Sequence, residues 1–401
     1  MMCYSVIHIE PIEPMLFGDN RLSRGGDDHL IEAMDPSPYT VFGAVGAHIA
    51  RNMNVEGNYS NWAEVQKILG EFIDGDVYNG NDVFQLLGFT YMDQSGYPWF
   101  PLPRQVLMRR SGNKRNPSYS LYKVTSPQKP MRPSSLQIEK YLPAEIESDV
   151  ELEEKDCFID RNFLKDILSG NNIEEYREIK PKFSTDFFKE EFRTGLEMNN
   201  KTNVAEESYL FTRPYRRFKA GVSGQSMEWK SCGYTAWVKT IGLIHSEMVK
   251  DEISFFGGDR RRAQFSISSA NENLPLKELL QAVCENVFSS KGFFAYCITP
   301  TPAKDIKKYK IENCIPKAAA IGKPIYMSGW AHEGTKNGAK NVQRPRRMIH
   351  ALPPGTVLFY EWASGASDEE KKSLITKHWV GSLTNEYACF GFGRILLGVW
   401  K

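Results

Sequence analysis

Arginine recurs in this chain in short clusters, each beside a glycine or an aromatic ring. They are Arg21 with Arg24, Arg213 with Arg216 and Arg217, Arg260 with Arg261 and Arg262, and Arg344 with Arg346 and Arg347. Guanidinium groups take phosphates and flat rings stack on bases, so the pattern is that of single-stranded RNA recognition. The densest stretch runs from Lys323 to Arg347. It carries six basic side chains (Lys323, Lys336, Lys340, Arg344, Arg346, Arg347) against one acid, Glu333, with Trp330 near its start and Gly334, Asn337, Gly338 and Asn341 between. It reads as a polyanion clamp; a solvated surface loop is the competing reading. A second candidate is Phe390-Gly391-Phe392-Gly393-Arg394. A dinucleotide fingerprint needs a helix after its glycines, and here a strand-like run, Ile395 to Trp400, follows. The glycines instead admit a phosphate backbone beside Arg394, or they form a structural turn; the sequence weighs these equally.

Catalytic chemistry is harder to find. The seven histidines (His8, His29, His48, His245, His332, His350, His378) stand far apart and none pairs with another at i+4. His48 falls on an apolar helical face and reads as a core histidine. His29 and His332 sit near cations, where either could serve as a general base on a ribose hydroxyl, although RNA contact without chemistry is the preferred reading. Seven cysteines are scattered singly with no CxxC pair, as small core residues of a reducing compartment. No metal site, no cofactor and no Walker sequence is expected.

These groups need a scaffold, and 401 residues with 41% apolar content suit two or three globular domains. No stretch approaches the length of a membrane span, so a cytoplasmic location is expected. The net charge of +1 hides segregation: Arg104 to Arg132 holds eight basic residues and no acid, and Glu145 to Asp156 seven acids and one lysine. Tyr4 to Glu10 alternates as a strand, with Ser5, Ile7 and Ile9 on one side and Tyr4, Val6 and His8 on the other. Ser37 and Pro38 open a helix whose face is Val41, Ala44, Val45, His48 and Ile49. Gly43 and Gly46 in that helix call for a close neighbour, a packed backbone before a ligand phosphate. A short helix is expected over 61–70, irregular chain over 104–133, and an acidic, mostly helical excursion over 145–190. A β-hairpin turns at 199–203, and a strand from Gly233 opens a second half. The fold class is α+β, a duplicated sandwich with halves 1–225 and 226–401.

Several of these stretches resemble a known family, the RAMP subunit of type III-B CRISPR effectors (the Cmr complex) that holds the 5′ tag of the guide RNA, the third subunit in its naming. The matching pieces are Pro14 to Arg21 with Pro36 to Val45, Arg193-Thr194-Gly195-Leu196 with its hairpin, and Phe256-Gly257-Gly258-Asp259-Arg260. Ser328-Gly329-Trp330 with Arg344 to Gly355, and Gly391-Phe392-Gly393-Arg394, complete them. Asp259 stands where many relatives carry Glu, and 104–190 shows no match. The resemblance implies two ferredoxin-like (RRM-like) RAMP domains, an insertion over about 104–190, and a hairpin thumb over 193–213. It implies binding of the CRISPR RNA 5′ tag, contacts with the large polymerase/cyclase-like subunit and a RAMP backbone subunit, a role in antiviral defence, and no catalysis. The alternative is a guide-processing endoribonuclease of the same superfamily. Carried onto this chain, Arg21, Trp330, Arg346, Arg347 and Arg394 would face the tag. With the clusters above, the expected RNA-facing set is Arg21, Arg24, His29, Arg213, Arg216, Arg217, Arg260, Arg261, Trp330, Lys336, Lys340, Arg344, Arg346, Arg347, Gly391, Gly393 and Arg394.

Overall fold

The alternation at the start of the chain becomes the strand Met2–Pro11, with Ile7 and Ile9 buried and Tyr4, Val6 and His8 half-buried on the other face. In the computed structural model the described residues are 2–18, 34–52, 71–73, 77–79, 84–113, 116–123, 156–171, 178–198, 205–223, 228–241, 251–271, 274–306, 311–312, 314, 317–333 and 342–400. Among them the largest sheet has eight strands, in the order Lys182–Phe183, Cys157–Ile159, Pro98–Pro101, Phe84–Met92, Gly233–Ile241, Met2–Pro11, Arg262–Asn271 and Glu252–Phe255. Pairing is antiparallel throughout, with Ile7 opposite Ala236 on one side and Ile267 on the other.

The helix Pro38–Asn52 lies on one face of this sheet. Its Val41, Val45 and Ile49 share a core with Ile7, Ile9 and Leu86, as the apolar spacing predicts. Ser37 Oγ accepts from the Thr40 amide at 3.2 Å and closes the helix start. His48, fully buried, stacks on Phe265 with centroids 5.0 Å apart. Burial, with a smaller contribution from Arg51, lowers its pKa from 6.5 to about 4. The unfolded chain therefore binds this proton more readily than the folded one. Stability present above pH 6.5 should fall by about 3 kcal/mol as pH drops toward 4. Urea unfolding at several pH values checks this, and a His48→Gln chain should lose most of the slope in that window.

A second sheet has four strands, in the order Ala318–Ala320, Val357–Glu361, Gly292–Cys297 and Ile395–Trp400. The helices Lys277–Glu285 and Asp368–His378 pack on it. Ser367 and Glu370 form a reciprocal cap of the latter. Two segments of the stretch 104–190 carry regular structure. The helix Arg161–Leu168, capped by Asp160, buries Leu164, Ile167 and Leu168 in one core with Phe293 and Val399. The stretch expected to be irregular forms the antiparallel pair Val106–Asn113 and Asn116–Lys123. Residues 61–70, 124–150 and the turn 199–203 lie outside the described residues.

The strand Gly233–Ile241 does not open a second half. It sits between Phe84–Met92 and Met2–Pro11, so the first sheet runs past the expected boundary at 225. The reason is visible in its side chains: Tyr234, Ala236 and Val238 are buried on one face and Trp237 on the other, as a central strand requires. The hairpin is longer than expected. Phe188–Met198 pairs with Ala205–Phe218 as a two-stranded ribbon, and the buried rings of Phe188 and Phe218 hold its base. No described helix is long and apolar enough to cross a membrane.

Candidate nucleic-acid interface

Along the exposed side of the Pro38–Asn52 helix, Tyr39, Gly43, Ala47 and Arg51 follow one another at i+4 steps and line one wall of a cleft of about 590 Å³. The facing walls are the chain at Leu16–Gly18, the turn at Gly257–Gly258, and Tyr326, Gly329 and Arg346. A Cβ built on Gly43 meets nothing within 4 Å. Close packing within the chain therefore does not account for that glycine, which opens onto the cleft.

Arg346 is held at the cleft wall by its backbone and by rings. Its amide donates to the Gly329 carbonyl at 2.7 Å, and Ser328 Oγ donates to its carbonyl at 2.8 Å. The guanidinium lies 4.7 Å from the Tyr39 ring centroid and 5.3 Å from that of Phe390. Tyr39 in turn meets Phe390 and Phe392 edge-on at 4.8 and 4.9 Å. Two rings stand out toward solvent nearby. Tyr326 is 57% exposed and stacks beside His350 at 5.0 Å; Phe255 is 49% exposed, with the Arg51 guanidinium 5.6 Å away. Arg51 also donates to Ser254 Oγ at 2.8 Å. The cleft thus offers guanidinium groups braced on rings, open aromatic faces, and a helix surface thinned at Gly43.

The clusters at 213–217 and 260–262, far apart in sequence, meet at the base of the ribbon. Tyr215 donates its hydroxyl to Asp259 at 2.7 Å, and its ring lies between Arg193 at 5.0 Å and Arg261 at 4.9 Å. Arg213 reaches Asp259 at 3.4 Å, Arg261 reaches Glu13 at 3.2 Å, and Arg217 reaches Glu191 at 2.6 Å. Hydrogen bonds from Arg217 and Arg193 hold the Glu191 carboxyl below its ordinary range. Arg260 and Arg347 are exposed.

Four expected RNA contacts are structural. Arg216 is 7% exposed; it donates to Asp35 and, at 3.1 Å, to the Tyr91 hydroxyl, with its guanidinium 4.3 Å from the Phe188 ring. Arg394 is 4% exposed and donates to the carbonyls of Val380 at 3.2 Å and Ala388 at 2.6 Å. Gly391 and Gly393 are buried at φ +90 and +64, where a Cβ on Gly391 would stand 2.7 Å from Leu86. The terminal glycines therefore form a tight, buried turn beneath Tyr39.

Trp330 and Arg344 lie on the paired strands Trp330–Glu333 and Val342–Pro345, opposite Pro345 and Ala331 respectively, and His332 lies opposite Gln343. Arg21, Arg24, His29, Lys336 and Lys340 lie outside the described residues. Among the described residues no group of three His, Cys, Asp or Glu side chains converges as a metal site. Tyr39, Arg51, Phe255 and Tyr326 were absent from the expected set. The i+4 ladder of Tyr39, Gly43, Ala47 and Arg51 is the signal that would have found two of them.

Two solved chains illustrate what the chain is similar to. One, from a cryo-EM structure of the type III-B Cmr-beta bound to cognate target RNA and AMPPnP, aligns over 93% of this chain and 88% of its own with 16% identity and a TM-score of 0.41. Another, from the type III-B Cmr-beta bound to cognate target RNA, aligns over 88% and 86% with 14% identity and a TM-score of 0.43. No curated protein matches the chain. Residues 7–400 match the family described as CRISPR-associated protein (Cas_Cmr3). A match over nearly the whole sequence settles the family: the chain belongs to Cas_Cmr3, the third subunit of type III-B CRISPR effectors, in agreement with the resemblance its motifs carry.

Proposed function

We propose that the chain is a non-catalytic RNA-binding subunit that holds and recognises the 5′ tag of the CRISPR RNA in the cleft beside the Pro38–Asn52 helix. In this reading it docks the large polymerase/cyclase-like subunit and a RAMP backbone subunit in antiviral defence, in the cytoplasm. The observation that carries the reading is Arg346 braced on Tyr39 in one cleft with Arg51 and the open rings of Tyr326 and Phe255. A single strand needs a cation for its phosphates and a flat face for its bases, and the cleft presents both.

The sheets support the two-domain part of the reading. In the first, Phe84–Met92, Gly233–Ile241, Met2–Pro11 and Arg262–Asn271 lie side by side; in the second, Ala318–Ala320, Val357–Glu361, Gly292–Cys297 and Ile395–Trp400 do. Taken as first to fourth strands of each unit, both follow the spatial order 2-3-1-4. This shared order supports reading them as two ferredoxin-like RAMP domains, the first carrying the ribbon as a thumb.

Replacing Arg346 and Arg347 by alanine together should weaken binding of guide RNA and flatten its salt dependence by about 0.7 in log–log slope for each phosphate no longer neutralised. Tyr326→Ala should weaken binding with the slope unchanged, since stacking carries no counterion term. Filter binding across a salt series separates the two; an unaltered slope in the double arginine variant would sink the clamp. Site-specific cleavage of repeat RNA by the purified chain, abolished by His29→Ala or His332→Ala, would overturn the non-catalytic assignment.

A further inference from the structure

A small sheet at the cleft wall has three strands, in the order Thr301–Pro302, Ile349–Leu352 and Ile325–Met327, so among the described residues the last has a neighbour on one side only. Register puts Tyr326 directly opposite His350, with Met327 opposite Ile349 and Ile325 opposite Ala351. Alternation then sorts the side chains. Met327, Ile349 and Ala351 are buried in one core with Val41 and Val45 of the cleft helix, whereas Tyr326 and His350 are exposed on the outer face. The backbone under the two rings is therefore fixed to the same core as the helix wall that carries Tyr39 and Arg51.

The rings themselves stack, with 5.0 Å between centroids and 18° between planes. His350 stands on the inner strand, so it covers one face of Tyr326 and leaves the other looking off the sheet edge. Tyr326 lines the cleft and His350 does not. The segments 321–329 and 346–352 carry Lys323, Arg346 and Arg347 and no acidic residue, so nothing in them repels a polyanion. A tyrosine so exposed has several rotamers open to it, and confining it to one on binding lowers affinity. A ring stacked behind it holds one rotamer before the RNA arrives.

We propose that His350 is a positioning residue for the cleft: it stacks behind Tyr326 and fixes that ring as the platform for one base of the single strand, without touching the RNA itself. The inference rests on the reading of the cleft as an RNA site, and adds to it a residue outside the cleft and a place for one base. Every base has a flat face, so a platform of this kind holds a nucleotide without selecting it. Selection is left to the polar groups deeper in the cleft.

The test uses the full chain and guide RNAs carrying 2-aminopurine at each position in turn. Fluorescence should be quenched on binding at one position; Tyr326→Ala should remove that quenching and weaken binding about tenfold. His350→Ala should weaken binding about fivefold, with the salt slope unchanged and little change in the thermal midpoint. His350→Phe should bind as the parent does, and His350→Leu as His350→Ala does. Tyr326→Ala combined with His350→Ala should bind no more weakly than Tyr326→Ala alone, because His350 acts only through that ring. Losses that add in the double variant, full affinity in His350→Ala, or a Leu variant as good as the Phe variant overturn the positioning role. So does a flatter salt slope in His350→Ala, which would put the imidazole on a phosphate. Full affinity in Tyr326→Ala overturns the inference and leaves the cleft reading to Arg346 and Arg347; unaltered binding in the double arginine variant as well would remove that reading too.

Discussion

Asp35→Ala is expected to destabilise the chain by about 3–5 kcal/mol. The aspartate is itself half exposed, at 51%, and a surface ion pair would contribute less than about 1 kcal/mol. Its partner decides otherwise, since the Arg216 side chain is 9% exposed and has been carried into the interior with its charge. Without Asp35 the guanidinium loses its bonded carboxylate, while the Tyr91 hydroxyl and the face of Phe188 remain among its contacts. Tyr91 cannot take over the charge, since burial, the largest cause, raises its pKa and keeps the phenol protonated. Asp35→Ala combined with Arg216→Met should regain most of the loss, because no charge remains buried. Equilibrium denaturation of the two single variants and the double variant measures this. A single variant within about 1 kcal/mol of the parent would show that solvent reaches Arg216.

Gly391→Ala should cost about 3 kcal/mol, compared with about 1 kcal/mol for Gly365→Ala. Both glycines hold left-handed backbone, at φ +90 and +79, so both substitutions are strained in conformation. They differ in what the new methyl meets. At Gly365 there is nothing within 4 Å, whereas at Gly391 the Leu86 side chain stands 2.7 Å away in the core beneath the cleft helix. Thermal midpoints of the two variants separate strain from collision. Equal losses would mean that Leu86 yields freely. The folded fraction of Gly391→Ala should keep its RNA affinity, because the buried turn supports Tyr39 from below.

What was legible in the sequence was local. The alternation of Tyr4 to Glu10, the apolar face of Val41, Val45 and Ile49, and the ribbon all follow from patterns within one local stretch. What was not legible depended on partners distant in sequence. Gly233–Ile241 reads as the start of a new unit until the strands on both its sides are known. Prolines concealed the Val106–Asn113 hairpin, although the one inside it, Pro117, lies opposite Gly112 near the turn end. Arginine type and spacing announce a cation and say nothing of its burial. Arg216 and Arg394 were therefore indistinguishable from Arg346 until the carboxylate and the carbonyls they serve were in place. The same limit hid Arg51, which stands alone in sequence and joins the site only through the helical ladder from Tyr39.

The ribbon base has a consequence for how a polyanion approaches. Arg193, Arg213, Arg217 and Arg261 each face Glu191, Asp259 or Glu13, so their fields cancel over a few ångströms. At physiological ionic strength such paired charges give little pull beyond about 8 Å. A phosphate arriving there must trade places with a carboxylate, and the free-energy change is the small difference between two ion pairs. The patch therefore acts at contact, as an exchanger of anions, with little part in attracting RNA from a distance.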